Sequence, residues 1–92
     1  MIKSWKHKGI QRFFNSGDKS GIIAVHERKL TIILQRLSAI THVADMNTPG
    51  MQFHALKGDL SGYYSVSVNG NWRIIFKFDG TDVTHVDYID YH

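Results

Sequence analysis

An α+β domain, with two N-terminal helices packed on a small, mostly antiparallel twisted sheet, is predicted by three features of this 92-residue sequence. Apolar residues recur at helical spacing between positions 10 and 40, and from Phe53 onward the period drops to two. Asn-Gly and Asp-Gly pairs fall in the second half, where hairpins need residues that accept positive φ. Helical and strand signals are segregated rather than alternating, so the helices should cover one face of a strand meander. Residues 1–92 form a single domain, without linker, repeat or low-complexity tract.

Met1–Trp5 is expected as a short strand. In Lys8–Gly17, Ile10, Phe13 and Phe14 have helical spacing and Gly17 supplies a C-cap. The second helix is the strongest local signal: Ile23, His26, Leu30, Ile33, Leu34, Leu37 and Ile40 form one stripe, with Glu27, Arg28, Lys29, Gln35, Arg36 and Ser38 mostly opposite. Asp18–Gly21 joins the two into a helical hairpin. Thr41–Gly50, with the only proline, reads as a connection containing at most one helical turn. Phe53–Leu56 is a candidate strand, followed by the glycine-punctuated loop Lys57–Gly62. Tyr63–Val68 alternates, Asn69-Gly70-Asn71 turns, and Trp72–Phe78 puts Trp72, Ile74, Phe76 and Phe78 on one face and Arg73, Ile75 and Lys77 on the other. Asp79-Gly80 turns again into a last strand, Val83–Ile89. The sheet face left uncovered by the helices should be polar or a binding surface.

Composition excludes several function classes. With no cysteine there is no disulfide framework, thiolate zinc site or cysteine nucleophile. No apolar run approaches the ~20 residues of a membrane span, and Lys3, Lys6, Lys8 and Arg12 interrupt any signal-peptide block. A soluble, cytoplasmic protein without a membrane partner is expected. The net charge of +3 conceals an asymmetry: residues 1–40 hold eight Lys/Arg against Asp18 and Glu27, a balance of +6, and residues 41–92 hold three against six Asp, a balance of −3. A basic lobe suits nucleic acid, an acidic protein, or simply a solvated helix face. The six histidines lack His-Glu-x-x-His spacing, no glycine fingerprint opens a helix, and no nucleophile elbow is present. No metal or cofactor is expected.

The informative residues sit at the rims of the expected sheet: His54, Lys57, Arg73 and the terminal Asp90-Tyr91-His92. Each has an ordinary explanation, as a solvated strand or loop residue, a half-buried histidine or a frayed end. Together they suit cleavage of an RNA phosphodiester, in which a 2′-OH loses a proton, the leaving 5′-oxygen gains one, and negative charge builds on phosphate. Histidine and a carboxylate suit the proton transfers. Lys and Arg supply fixed positive charge, Arg with a fork for two phosphate oxygens. Tyr91 suits stacking on an unpaired base or bonding a phosphate.

The chain resembles the HigB-type toxins of the RelE/ParE superfamily, the toxin partners of bacterial type II toxin–antitoxin pairs. The resemblance is carried by His54-x-Leu56-Lys57-Gly58-Asp59, Gly62–Val68, Asn71-Trp72-Arg73-Ile74-Ile75-Phe76 and the ending Asp87–His92, and the opening Ile2–Gly9 is similar too. It covers nearly the whole chain, least clearly around Met46–Met51. It implies a ribosome-dependent endoribonuclease that cuts mRNA in the A site of the 70S ribosome. Lys57 and Arg73 match the basic residues that stabilise the scissile phosphate, and His54 matches a supporting catalytic residue. Asp90, Tyr91 and His92 match the C-terminal group credited with proton transfer and substrate orientation. The implied partner is a HigA-type helix-turn-helix antitoxin, with operator DNA reached only through the complex. The alternative within the superfamily is a ParE-like DNA gyrase inhibitor without nuclease activity, which needs no proton-transfer groups. Asp90 and Tyr91 should point to opposite faces of an ideal strand.

Overall fold

The computed structural model describes residues 1–91. Two helices, α1 (Lys8–Ser16) and α2 (Glu27–Ala39), precede the strands β1 (His54–Ala55), β2 (Tyr64–Asn69), β3 (Trp72–Asp79) and β4 (Asp82–Asp90). The strands lie side by side in chain order and pair antiparallel. The α+β architecture is the one the periodicities predict. The expected N-terminal strand is reduced to two parallel bridges, Ile2 to Val83 and Trp5 to Val86. Hydrogen bonds from Lys3 N–H to Val83 O (2.7 Å) and Lys6 N–H to Val86 O (2.8 Å) hold this segment against β4.

Helix α1 is closed at both ends by its sequence. His7 Nδ1 accepts the Ile10 N–H (3.1 Å) at the start. At the end Gly17 takes the left-handed conformation (φ 78°) and its N–H reaches Phe13 O. Helix α2 starts later than the apolar stripe suggests, because Ala24–His26 forms a tighter 3-10 turn in which Ile23 N–H is drawn to the Tyr88 hydroxyl (3.4 Å). The expected turn inside the connection is present as Val43–Met46. Strand β1 is shorter than expected, since Gln52 turns the chain out of extended conformation at φ 48° just before it.

Ile10 and Phe13 of α1 and Leu30, Ile33, Leu34 and Leu37 of α2 pack with Val66, Ile74, Phe76, Val83, Val86 and Tyr88 of the sheet in one core. Each such aliphatic side chain contributes about 1.5–3 kcal/mol on burial. The helical layer closes through two glycines: a Cβ on Gly21 would lie 2.5 Å from Gly9 Cα, so only glycine fits where the loop crosses the start of α1.

β3 and β4 are joined through a bulge. Between the pairs Ile75–Asp87 and Lys77–Thr84, the single residue Phe76 faces both His85 and Val86. His85 occupies the left-handed region (φ 56°) and donates its N–H to Ser4 Oγ (2.8 Å). The extra residue lets Val83 and Val86, three positions apart, both reach the core. The face away from the helices holds a second, smaller cluster of Leu56, Tyr63 and Ile75, with Leu60 and Ile89 against it. It is therefore mixed rather than simply polar.

Candidate active site

Strand register puts His54 and Arg73 on this uncovered face. His54 pairs with Ser65, which pairs with Ile75, and one row along Ser67 pairs with Arg73 and Arg73 with Ile89. Two strands and two residues separate His54 from Arg73, about 12 Å between Cα atoms. Tyr91 donates its backbone N–H to Asn71 O (2.7 Å), which extends the β3–β4 ladder by a step and sets Tyr91 beside Arg73 on the same face. Asp90 pairs with Trp72 and so lies on the helix-covered side of the rim, opposite in sense to Tyr91 as strand alternation requires. Lys57, exposed and extended (φ −127°, ψ 176°), opens the 3-10 turn Gly58–Leu60 directly after β1. His92 lies outside the described residues. The structure thus brings His54, Arg73 and Tyr91 to one face, with Lys57 in the loop leaving β1 and Asp90 at the opposite side of the strand end.

Arg73 is the unusual member of this set. Its Nε and Nη1 atoms are shielded from solvent and have no hydrogen-bond partner among the described residues. A guanidinium presents these donors in a planar fork suited to two oxygens of one phosphate, and leaving them unsatisfied out of water is costly. The hydroxyl of Ser65, fully buried on the same face opposite His54, also has no partner among the described residues. His54 is exposed and its Nδ1 lies 2.9 Å from the Gln52 carbonyl. A carbonyl only accepts, so the proton sits on Nδ1 and the neutral ring offers its Nε2 lone pair to solvent or substrate.

Beneath this rim the residue before Arg73 is held from the helical side. The Trp72 ring centroid lies 4.7 Å from that of Tyr88. His26, 3% exposed, meets both rings and has Nδ1 2.5 Å from the Tyr88 hydroxyl. Burial raises the Tyr88 hydroxyl above the ordinary value of 10.0, only partly offset by the Ile23 N–H bond.

The cations of the two halves differ in their engagement. In the helical half Arg12 pairs with Asp18 (3.5 Å), Lys19 with Glu27 (3.2 Å) and Lys3 with Asp82 (3.1 Å). Lys29 bonds Gly50 O and Arg36 bonds Thr48 Oγ1. Lys57, Lys77 and Arg73 of the sheet half, and Lys6, Lys8 and Arg28 of the helical half, form no ion pair among the described residues. Two contributors escaped the sequence reading. Ser65 carried a signal, its place in the Tyr63/Ser65/Ser67 alternation, but Gln52, whose left-handed backbone presents the carbonyl to His54, carried none.

Among the described residues no helix is long and apolar enough to cross a membrane. The fold is shared with a YoeB–YefM complex from Staphylococcus aureus (TM-score 0.64, 16% identity, all of this chain and 95% of that one). It is shared too with a YoeB/ParE toxin from Agrobacterium tumefaciens (TM-score 0.61, 17% identity, all of this chain and 99% of that one). In sequence the chain is 40% identical to the endoribonuclease HigB of Proteus vulgaris over the whole of both chains. It is 30% identical to the toxin HigB-1 of Vibrio cholerae serotype O1 (strain ATCC 39315 / El Tor Inaba N16961), over all of this chain and 98% of that protein. Residues 3–92 match the model of the HigB-like toxins, described as the RelE-like toxin of type II toxin–antitoxin system HigB. With the meander, the helical layer and the match running nearly end to end, this chain belongs to the HigB family of RelE/ParE-like toxins of type II toxin–antitoxin systems.

Proposed function

We propose that this toxin is a ribosome-dependent endoribonuclease that cuts mRNA in the ribosomal A site and is neutralised by a HigA-type antitoxin. The observation that carries the reading is Arg73, whose buried Nε–H and Nη1–H lack acceptors among the described residues. A scissile phosphate reaching them as the shielding side chains shift would satisfy both. In the reaction the 2′-OH gives up its proton, its oxygen bonds to phosphorus, and the bond to the 5′-oxygen breaks. That oxygen takes a proton, leaving a 2′,3′-cyclic phosphate and a 5′-OH end. His54, with Nδ1 tied to Gln52 O, offers Nε2 for proton transfer. Asp90, Tyr91 and His92 act with it in proton transfer and substrate orientation, and Lys57, in the loop leaving β1, adds fixed positive charge. None of these steps needs a metal. Operator DNA is reached only through the antitoxin complex. The endoribonuclease name of the Proteus vulgaris relative supports the same activity.

Mapping mRNA 5′ ends after induction of the toxin alone tests this reading. Wild type should produce cuts within translated codons, and Arg73→Ala should lower them on the order of 100-fold, the loss expected when one transition-state charge contact is removed. Intact mRNA with a defect in gyrase supercoiling would overturn it.

A further inference from the structure

The uncovered face carries a second group of cations. Lys77 lies four residues along β3 from Arg73, about 13 Å away on the same face. Its Nζ sits 5.0 Å from the centroid of Tyr63, and Lys6 Nζ approaches the same ring at 5.8 Å from the N-terminal segment. His85 of the bulge meets Tyr63 edge-on at 6.4 Å. Two ammonium groups from distant parts of the chain therefore converge on one ring. Each is attracted by its π-face, and they repel one another unless an anion lies near them. No carboxylate forms an ion pair with either lysine among the described residues: Asp82 pairs with Lys3 (3.1 Å) and the N-terminal ammonium (3.8 Å), Asp87 Oδ1 accepts the Tyr88 N–H (2.9 Å), and Asp79, two residues along β3 from Lys77, is in no ion pair. Tyr63 itself is 8% exposed, packed with Leu56 and Ile75, so it offers no platform for a base. The cluster is built for phosphate rather than for nucleobase.

From this geometry we infer that Lys6 and Lys77, mounted on Tyr63, bind the sugar-phosphate backbone of the RNA strand whose scissile phosphate sits at Arg73. Continuity of the face along β3 selects the same strand over a separate RNA. The inference rests on the nuclease reading and adds to it a contact beyond the scissile phosphate. Such a contact positions the strand and carries no sequence information.

The test is the salt dependence of binding, by fluorescence anisotropy, to oligoribonucleotides made uncleavable by a 2′-deoxy substitution. A decanucleotide spans both groups, whereas a dinucleotide has one phosphodiester and fills only the Arg73 end. Lys6→Ala/Lys77→Ala should reduce the slope of log affinity against log salt by about 1.4 for the decanucleotide, because each lost single-strand phosphate contact removes about 0.7. Between 50 and 200 mM salt, wild type should then lose about sevenfold more affinity than the variant. Dinucleotide binding should not change, scrambled decanucleotides should show the same drop, and Lys6→Arg/Lys77→Arg should restore the slope. The inference is overturned if the alanine variant matches wild type on the decanucleotide, if arginines fail to restore binding, or if the drop depends on base sequence. Weakened ribosome pelleting with unchanged decanucleotide binding would also overturn it, since the contact would then be to ribosomal RNA. A wild type that binds the decanucleotide through both lysines yet cuts no translated mRNA would refute the nuclease reading while supporting the lysine contact.

Discussion

The two faces of β3 are one residue apart in sequence and do opposite work. Trp72, Ile74, Phe76 and Phe78 turn toward the helices, where Phe76 is fully buried and the deeply buried His26 has a hydroxyl partner in Tyr88. Arg73, Ile75 and Lys77 turn the other way, among a buried serine hydroxyl and two guanidinium nitrogens with no partners among the described residues. On the covered face polar groups are satisfied and shape fixes the fold. On the uncovered face three shielded polar atoms, Ser65 Oγ and Arg73 Nε and Nη1, have no partner among the described residues. The difference teaches that stability and chemistry can be altered separately, by substitutions at adjacent positions.

The largest effect should come from the covered face. Phe76→Ala should cost about 3–5 kcal/mol of stability in urea unfolding, enough to unfold much of the population of a domain this small. Across the sheet the opposite is expected: Arg73→Ala should leave the urea midpoint unchanged or raise it, because it removes two shielded donors without partners among the described residues. A clear fall in midpoint would show that Arg73 holds the fold together instead.

Smaller effects test where the two faces are joined. His85→Val should destabilise by about 1–2 kcal/mol, since a branched side chain resists the left-handed backbone of the bulge, whereas His85→Gly should be tolerated in thermal melts. Tyr88→Phe should cost about 1 kcal/mol by removing the hydroxyl shared with His26 and Ile23. It should also change the alkaline limb of stability. With the folded hydroxyl raised above the unfolded value of 10.0, its contribution is complete below pH 10.0 and is lost as pH climbs through the higher folded value. Wild type should therefore weaken more steeply than Tyr88→Phe above pH 10.0 in pH-resolved unfolding.

Much of this was legible from periodicity. The alternation of β2 and β3 assigned Val66, Ile74 and Phe76 to the core and Arg73 to the other face, because period two maps directly onto sheet sides. The stripe in α2 likewise identified Leu30, Ile33, Leu34 and Leu37. In β4 the pattern fails where the bulge at His85 changes parity, so Val83 and Val86 share a side at odd spacing, and no residue type announces a histidine at positive φ. The Arg73 environment was not legible either, since solvent exclusion around its nitrogens depends on neighbours brought in from other strands. The engagement of the helical half's cations was hidden for the same reason: the +6 balance of residues 1–40 gives no sign that Arg12 and Lys19 pair within that half and Lys3 with Asp82 of β4.

The N-terminal segment has a consequence for how the molecule behaves in company. By laying Ile2 and Trp5 along β4, it occupies backbone groups that would otherwise form a template for strand addition at that margin of the sheet. At the opposite margin β1 is two residues long, too brief to recruit another strand in register. Both borders of the sheet are thus poor seeds for self-association, and a toxin parted from its antitoxin should stay dispersed rather than polymerise through its strands.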